Sequence, residues 1–228
     1  QYHFVHFIHE YEKNKPTRHP VWMSFQWDGI SGTGSNRNLW NSPAEVVSPA
    51  RDDNKRGAHP YRSDPPATNG GKVVLIDTDH IWGVGGNVAW VWKSFIRGLQ
   101  PIFMEPYKHS IINSSGDIET KWDPVRRAMG HTRTFADRMN LAAMRPQNEL
   151  ASTKLCLANP GNEYLVYMPS GGQATVDLSA ATAALSVEWF DPNSGETRTA
   201  TAVSGGARRA FTAPFDGDAV LYLVLAKY

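Results

Sequence analysis

Lys72-Val73-Val74-Leu75-Ile76-Asp77-Thr78-Asp79-His80-Ile81-Trp82-Gly83 is the stretch on which the fold turns. Its first five residues form a β-branched apolar run of the kind buried on both faces of a parallel sheet. Polar side chains begin at Asp77, which places the end of the strand there. On the C-terminal side, Asn87 to Arg97 carries Val88, Val91, Trp92, Phe95 and Ile96 on one helical face, with Gly98 as the C-terminal stop. Pro101-Ile102-Phe103-Met104 is then the next strand, ending at Glu105-Pro106-Tyr107. Asp123-Pro124 opens another helix, with Asp as N-cap and Pro at its first position, continuing through Phe135, Met139, Leu141 and Met144.

Upstream of the opening stretch, Val21 to Trp27 is a short apolar-rich strand closed by Asp28-Gly29. Before it, Phe4, Phe7, Ile8 and Tyr11 recur at helical spacing up to Lys13-Asn14-Lys15-Pro16. From Ser31 to Gly71 the chain is too long and polar for a simple connector and reads as a loop of the functional or the disordered kind, in which Ser42-Pro43-Ala44-Glu45 caps a single helical turn. The resulting order is helix, strand, loop, strand, helix, strand, helix: successive βα units.

After Pro146 the pattern changes. Short alternating runs cover 154–158, 163–168, 174–178, 184–190, 197–203, 209–213 and 219–226, separated by turns such as Asn159-Pro160-Gly161-Asn162 and Asp191-Pro192-Asn193-Ser194-Gly195. Seven strands at this spacing predict a compact antiparallel β-sandwich. The fold class expected is therefore α/β plus all-β, with late units of a (β/α)8 TIM barrel over residues 1–151 and a small sandwich over 152–228.

Of the 228 residues, 41% are hydrophobic and 20% charged, an ordinary globular composition. A net charge of +1, from 23 basic and 22 acidic side chains, sets up no field to recruit nucleic acid. No apolar stretch approaches the roughly 20 residues of a membrane span. Cys156, the single cysteine, lies in the apolar run Lys154-Leu155-Cys156-Leu157-Ala158, where a buried inert thiol is expected. The opening Gln1-Tyr2-His3-Phe4 lacks an initiator Met and a signal peptide, so an upstream part of the polypeptide is expected. Secretion is neither supported nor excluded by these features.

In a parallel βα barrel the active site lies at the carboxyl ends of the strands. Those ends present Gln26, Trp27 and Asp28; Asp77, Asp79 and His80; and Glu105 with Tyr107. Glycoside hydrolysis needs this set: one carboxyl group to protonate the leaving oxygen, one to attack or activate water, and aromatic faces for sugar. Asp-Thr-Asp-His has a second reading as the N-cap of the next helix and a third as part of a metal site, although one carboxylate pair and one His are few ligands. If strand geometry persists, Asp77 and Asp79 point to the same side and resist joint ionisation. Trp27 and Trp82, beside strand ends, are the sugar platforms; Trp90 and Trp92 lie two apart in a helix, so at least one belongs to the core. Gly83-Val84-Gly85-Gly86 lacks the spacing of a phosphate loop. His3, His6 and His9 read as a solvated helix face. Neither a metal nor a cofactor is expected.

Three segments together carry a family likeness: Lys72 to Gly83, then Trp90-Val91-Trp92-Lys93-Ser94-Phe95-Ile96-Arg97-Gly98, then Ile102-Phe103-Met104-Glu105-Pro106-Tyr107. They resemble the late barrel units of the apiosidase-like glycoside hydrolase superfamily. The region from about Ser152 to Tyr228, with Asn162 to Tyr167, Val187 to Pro192 and Gly195-Glu196, is similar to the C-terminal sandwich named the "putative collagen-binding domain". The resemblance implies a retained (β/α)8 architecture in which the visible strands are the sixth, seventh and eighth. It implies a catalytic acid at the end of the seventh strand, a place held by Glu in that family and by Asp77 here, with an acidic partner near the fourth strand, upstream of this chain. An extracellular or periplasmic location is favoured by the resemblance alone.

The reading is then a glycoside hydrolase-like fragment acting on polysaccharide side chains. Asp77 or Asp79 is its carboxylate, His80 and Glu105 support it, and Trp27, Trp82 and Tyr107 line the sugar subsite. Its rivals are a non-catalytic accessory module that binds carbohydrate or protein, and a catalytically inert barrel.

Overall fold

The computed structural model describes residues 2–27, 34–50, 60–82, 84–104 and 120–226. Among the described residues it is a mixed α/β molecule with one parallel sheet and several antiparallel ones. Two compact units divide it, one of Gln1–Gly86 with Leu99–Asp123, the other of Asn87–Gly98 with Pro124–Tyr228. Among the described residues no helix is long and apolar enough to cross a membrane.

The first unit contains α1 (Tyr2–Lys13), β1 (Trp22–Ser24), α2 (Arg37–Asn41), β2 (Val46–Ser48), α3 (Pro60–Ser63), β3 (Val73–Asp77), α4 (Thr78–Ile81) and β4 (Gln100–Ile102). Its sheet runs β1-β2-β3-β4, every neighbouring pair parallel, with Trp22 beside Val46, Val46 beside Val73 and Ile76 beside Pro101. β3, the strand of the opening stretch, and β4, the next strand after it, are thus adjacent and parallel, as the βα reading requires. Helix α5 (Val88–Ile96) lies between them in the chain, capped by Asn87, whose Oδ1 accepts the Trp90 N–H at 2.8 Å, and followed by Gly98 at φ 72°.

Four sequence expectations need correction here. The polar stretch 31–71 is more than a functional or disordered loop: its described residues include α2, α3 and the three-residue strand β2, inserted between β1 and β3. Residues 73–76 are not buried on both faces. Val74 and Ile76 are buried, but Val73 is 50% exposed, so β3 alternates. The Phe4, Phe7, Ile8 and Tyr11 face of α1 is exposed, while Val5 is the buried residue of that helix. The last strand of the sheet is Gln100–Ile102, with Phe103 and Met104 already beyond it.

The second unit holds α5, α6 (Asp123–Arg138), β5 (Arg145–Pro146), β6 (Cys156–Asn159), β7 (Glu163–Met168), β8 (Gln173–Asp177), β9 (Ala184–Phe190), β10 (Thr197–Ser204), β11 (Arg208–Thr212) and β12 (Ala219–Leu225). A six-stranded antiparallel sheet has the order β10-β9-β12-β7-β6-β5, and β8 pairs with β11 in a two-stranded sheet. One buried cluster draws on both sheets: Tyr164, Val166, Leu185, Val187, Trp189, Leu221 and Leu223 from the larger, Ala174, Val176 and Phe211 from the smaller. The helices supply rings to other side chains of the larger sheet. Trp92 lies 5.8 Å from Phe190, and Phe135 lies 5.3 Å from Phe190 and 5.8 Å from Tyr222. All six residues of β7 are buried for that reason, although an exposed-face strand would alternate.

Helix α6 stops at Arg138, short of the expected Met144. The buried Glu163 of β7 accepts the Asn140 N–H at 3.0 Å and the Tyr222 hydroxyl at 2.5 Å, so a carboxylate from the sheet takes a backbone donor just past the helix end. Arg138 pairs with Glu188 of β9 and its guanidinium lies 4.1 Å from the Phe135 ring centre. Trp90 and Trp92 are both core. Cys156 is a free thiol, fully buried, and desolvation pushes it up to about 12, which makes it inert as a nucleophile.

Candidate functional site

The carboxyl ends of the four parallel strands are tied to one another by one backbone and two side-chain hydrogen bonds. Just past β1, the Phe25 N–H donates to the Ser48 carbonyl at the end of β2, at 2.9 Å. The Ser48 hydroxyl, fully buried, lies 2.8 Å from His80 Nδ1 in α4, which directly follows β3. The buried Thr78 Oγ1 accepts the Met104 N–H beyond β4 at 2.8 Å. After β2 the chain is held by buried Asn36, whose amide donates to the Ala50 carbonyl at 3.1 Å and accepts the Ala50 N–H at 2.8 Å. Ser48 therefore sits in a fixed frame.

Asp77 ends β3 and caps α4, its Oδ1 accepting the Asp79 N–H at 2.9 Å. The strand stops there, and Asp79 stands in the first turn of α4. The premise that strand alternation turns both carboxylates to one side is not met, because the backbone leaves the extended conformation between them. Asp79 is exposed, and its carboxylate accepts no hydrogen bond among the described residues. His80 is half-buried, with the Phe25 ring edge-on to it at 4.8 Å and 76°.

Trp82 follows α4, its N–H bonded to the Thr78 carbonyl at 2.7 Å. The Arg62 guanidinium of α3 lies 5.5 Å from its ring and donates to the Ile81 carbonyl at 2.9 Å. Trp27 pairs through its backbone with Gly34 in a two-residue antiparallel ladder. Asp28, Glu105 and Tyr107 lie outside the described residues. Asp77, Asp79, His80 and Trp82 thus stand together at the end of β3. Phe25, Ser48 and Arg62, which frame them together with Thr78 of the motif, carry no signature of their own; the β-branched Val46-Val47 pair just ahead of Ser48 is the one signal that could have marked a strand end there. Among the described residues no three His, Cys, Asp or Glu side chains are grouped to hold a metal ion. The three histidines of α1 do not form such a group, and His9 turns toward Glu45 at 3.3 Å.

Residues 144–224 match the family model described as "Putative collagen-binding domain of a collagenase". No curated protein matches the chain. Among solved structures the chain is similar to a protein titled "Glycoside hydrolase" (TM-score 0.54, 11% identity, 98% of this chain and 68% of that one). It is also similar to a glycoside hydrolase family 5 protein from Bacteroides vulgatus (TM-score 0.55, 13% identity, 97% and 66%). A third likeness is to a protein of the same organism titled a "putative glycoside hydrolase" (TM-score 0.55, 12% identity, 94% and 46%). The chain spans about two thirds of the first two structures and less than half of the third. At these identities the likeness is one of fold.

Proposed function

We propose that this chain is the later part of a glycoside hydrolase of the apiosidase-like kind, acting on polysaccharide side chains. In this reading β1 to β4 are the fifth to eighth strands of a (β/α)8 barrel, one strand more than the sequence alone suggested, and the second unit carries a β-sandwich of the collagen-binding type. The observation that carries it is the gathering of Asp77, Asp79, His80 and Trp82 at the carboxyl end of a strand within an all-parallel sheet, where barrel enzymes assemble their sites. The fold likeness to glycoside hydrolases supports it. Strands one to four come from a preceding half of the same polypeptide. That half covers the exposed Phe4, Phe7, Ile8 and Tyr11 face of α1 and pairs with the outer edge of β1, which has no partner strand among the described residues.

Asp79, whose carboxylate is uncommitted, takes the reacting role; Asp77 orders the turn that carries it, and Glu105 supports the pair. Trp82, Trp27 and Tyr107 stack on sugar. The second carboxylate needed for hydrolysis belongs to the preceding half. With that half present, Asp79→Asn lowers turnover of a cleaved glycoside by at least about a hundredfold. Asp77→Asn, which keeps the cap, costs less than about tenfold. Near-wild-type turnover in both variants would sink the assignment.

The match of 144–224 to the collagen-binding model favours a second reading, a non-catalytic module that binds carbohydrate or protein. Retention on immobilised polysaccharide without turnover of any glycoside would select it.

A further inference from the structure

Ser48 is fully buried, and a buried hydroxyl left with an unshared proton costs about 1–3 kcal/mol. Its carbonyl is occupied by the Phe25 N–H, and its Oγ has one hydrogen-bond partner among the described residues, His80 Nδ1 at 2.8 Å. The hydroxyl proton therefore points at Nδ1. A neutral imidazole that accepts at Nδ1 carries its own proton on Nε2. The edge-on Phe25 ring fixes the plane of the imidazole, and no hydrogen bond reaches Nε2 among the described residues.

We propose that Ser48 is a positioning residue that locks neutral His80 in the Nε2–H tautomer. His80 then enters the site as a hydrogen-bond donor to an acceptor oxygen of a sugar, and in its neutral form it does not serve as the proton-abstracting base. The tautomer follows from the Ser48–His80 pair alone; only the identity of the oxygen that Nε2 meets rests on the glycosidase reading. The Asp-Thr-Asp-His motif invites the opposite role for its histidine, a general base beside two carboxylates. The hydroxyl behind the ring decides against it.

The test is two-bond proton–nitrogen correlation spectroscopy on the uniformly ¹⁵N-labelled full chain at about pH 8.5, roughly two units above the reference imidazole value. The His80 signals are identified by their loss in His80→Gln. The expected spectrum places Nδ1 in the unprotonated range and Nε2 in the protonated range, with Ser48→Ala moving both nitrogens toward the averaged values of a tautomer mixture. A wild-type spectrum with the proton on Nδ1, or His80 signals that Ser48→Ala leaves unmoved, overturns the proposal. On a glycoside that the longer protein cleaves, Ser48→Ala raises KM or lowers kcat by about tenfold, the scale of one misdirected hydrogen bond. The spectrum decides the tautomer whether or not any glycoside is cleaved, so failure of the glycosidase reading and failure of this proposal are separate results.

Discussion

The indole of Trp92 in α5 stacks on the ring of Tyr167 in β7, with centres 6.3 Å apart and planes inclined by 19°. Phe135 and Phe190 close on the same indole at 5.5 and 5.8 Å, so one fully buried side chain joins two helices to the larger antiparallel sheet. Trp92→Ala is expected to cost about 3–5 kcal/mol in chemical denaturation, the usual scale for deleting a large buried ring. Trp92→Phe is expected to cost much less, because it also removes an indole N–H that has no partner among the described residues.

The same contacts bear on how far the β-rich region stands alone. Tyr167, Phe190 and Tyr222 are the side chains that Trp92 and Phe135 meet. A chain of residues 144–226 keeps the cluster shared by the two sheets but lacks α5 and α6. It is expected to fold, to bind an apolar dye strongly, and to unfold at lower denaturant than the full chain. Dye binding and midpoint equal to those of the full chain would mean that the helices contribute nothing to that face.

How much of this was legible in the sequence depended on whether a local pattern or a distant partner decided the outcome. The start of the helical segment at Asn87, the Gly98 stop and the strands 163–168 and 184–190 are local, and the structure has them where the sequence puts them. Strand β2 is three residues long and inside a polar stretch, too short to register a period, so Ser48 was invisible as a site residue. The end of α6 was misjudged because the group that takes the Asn140 N–H is Glu163, 23 residues away. The apolar spacing of α1 correctly indicated a helix, but which face is covered depends on its neighbours, and Phe4 and Phe7 remain over 70% exposed. At the candidate site the Asp-Thr-Asp-His motif was readable, whereas the change from strand to helix after Asp77 altered what its carboxylates face.

Gly85 approaches Trp82 so closely that a Cβ built on it would stand 2.6 Å from the Trp82 Cβ and 2.7 Å from its Cγ. Those atoms are next to the backbone and cannot swing away as a side-chain tip can. Gly85→Ala is expected to displace the indole from the Arg62 guanidinium, at about 1–3 kcal/mol of stability. If Trp82 is a sugar platform, the same change weakens carbohydrate binding at least severalfold while leaving the second unit untouched. A changed Trp82 environment in fluorescence, measured against Trp82→Phe as reference, checks the displacement directly. Unchanged fluorescence and stability would refute the close packing.

Acid stability should depend on Asp177 at the end of β8. Hydrogen bonds from the Ser179 hydroxyl and N–H, then from the Arg208 guanidinium, hold its carboxyl down at about 2; the Ser179 N–H lies at 3.0 Å and the Arg208 Nε at 3.1 Å. The unfolded chain has no such partners, so its carboxyl titrates near the reference value of about 3.9. With the folded value lower than the unfolded one, the folded state binds fewer protons over that interval. The stabilisation is fully present above about pH 4, falls as the pH drops through the window from about 4 to about 2, and is gone below it. Asp177→Asn, which keeps an oxygen acceptor for Ser179 but loses the charge that titrates, is expected to lower stability at neutral pH and to flatten the slope of stability against pH within that window. Denaturant midpoints measured every half unit from about pH 6 to about pH 2 for both proteins give that slope. Parallel curves through the window would show that Asp177 titrates alike in the folded and unfolded chain, and that its bonds to Ser179 and Arg208 do not favour the ionised form.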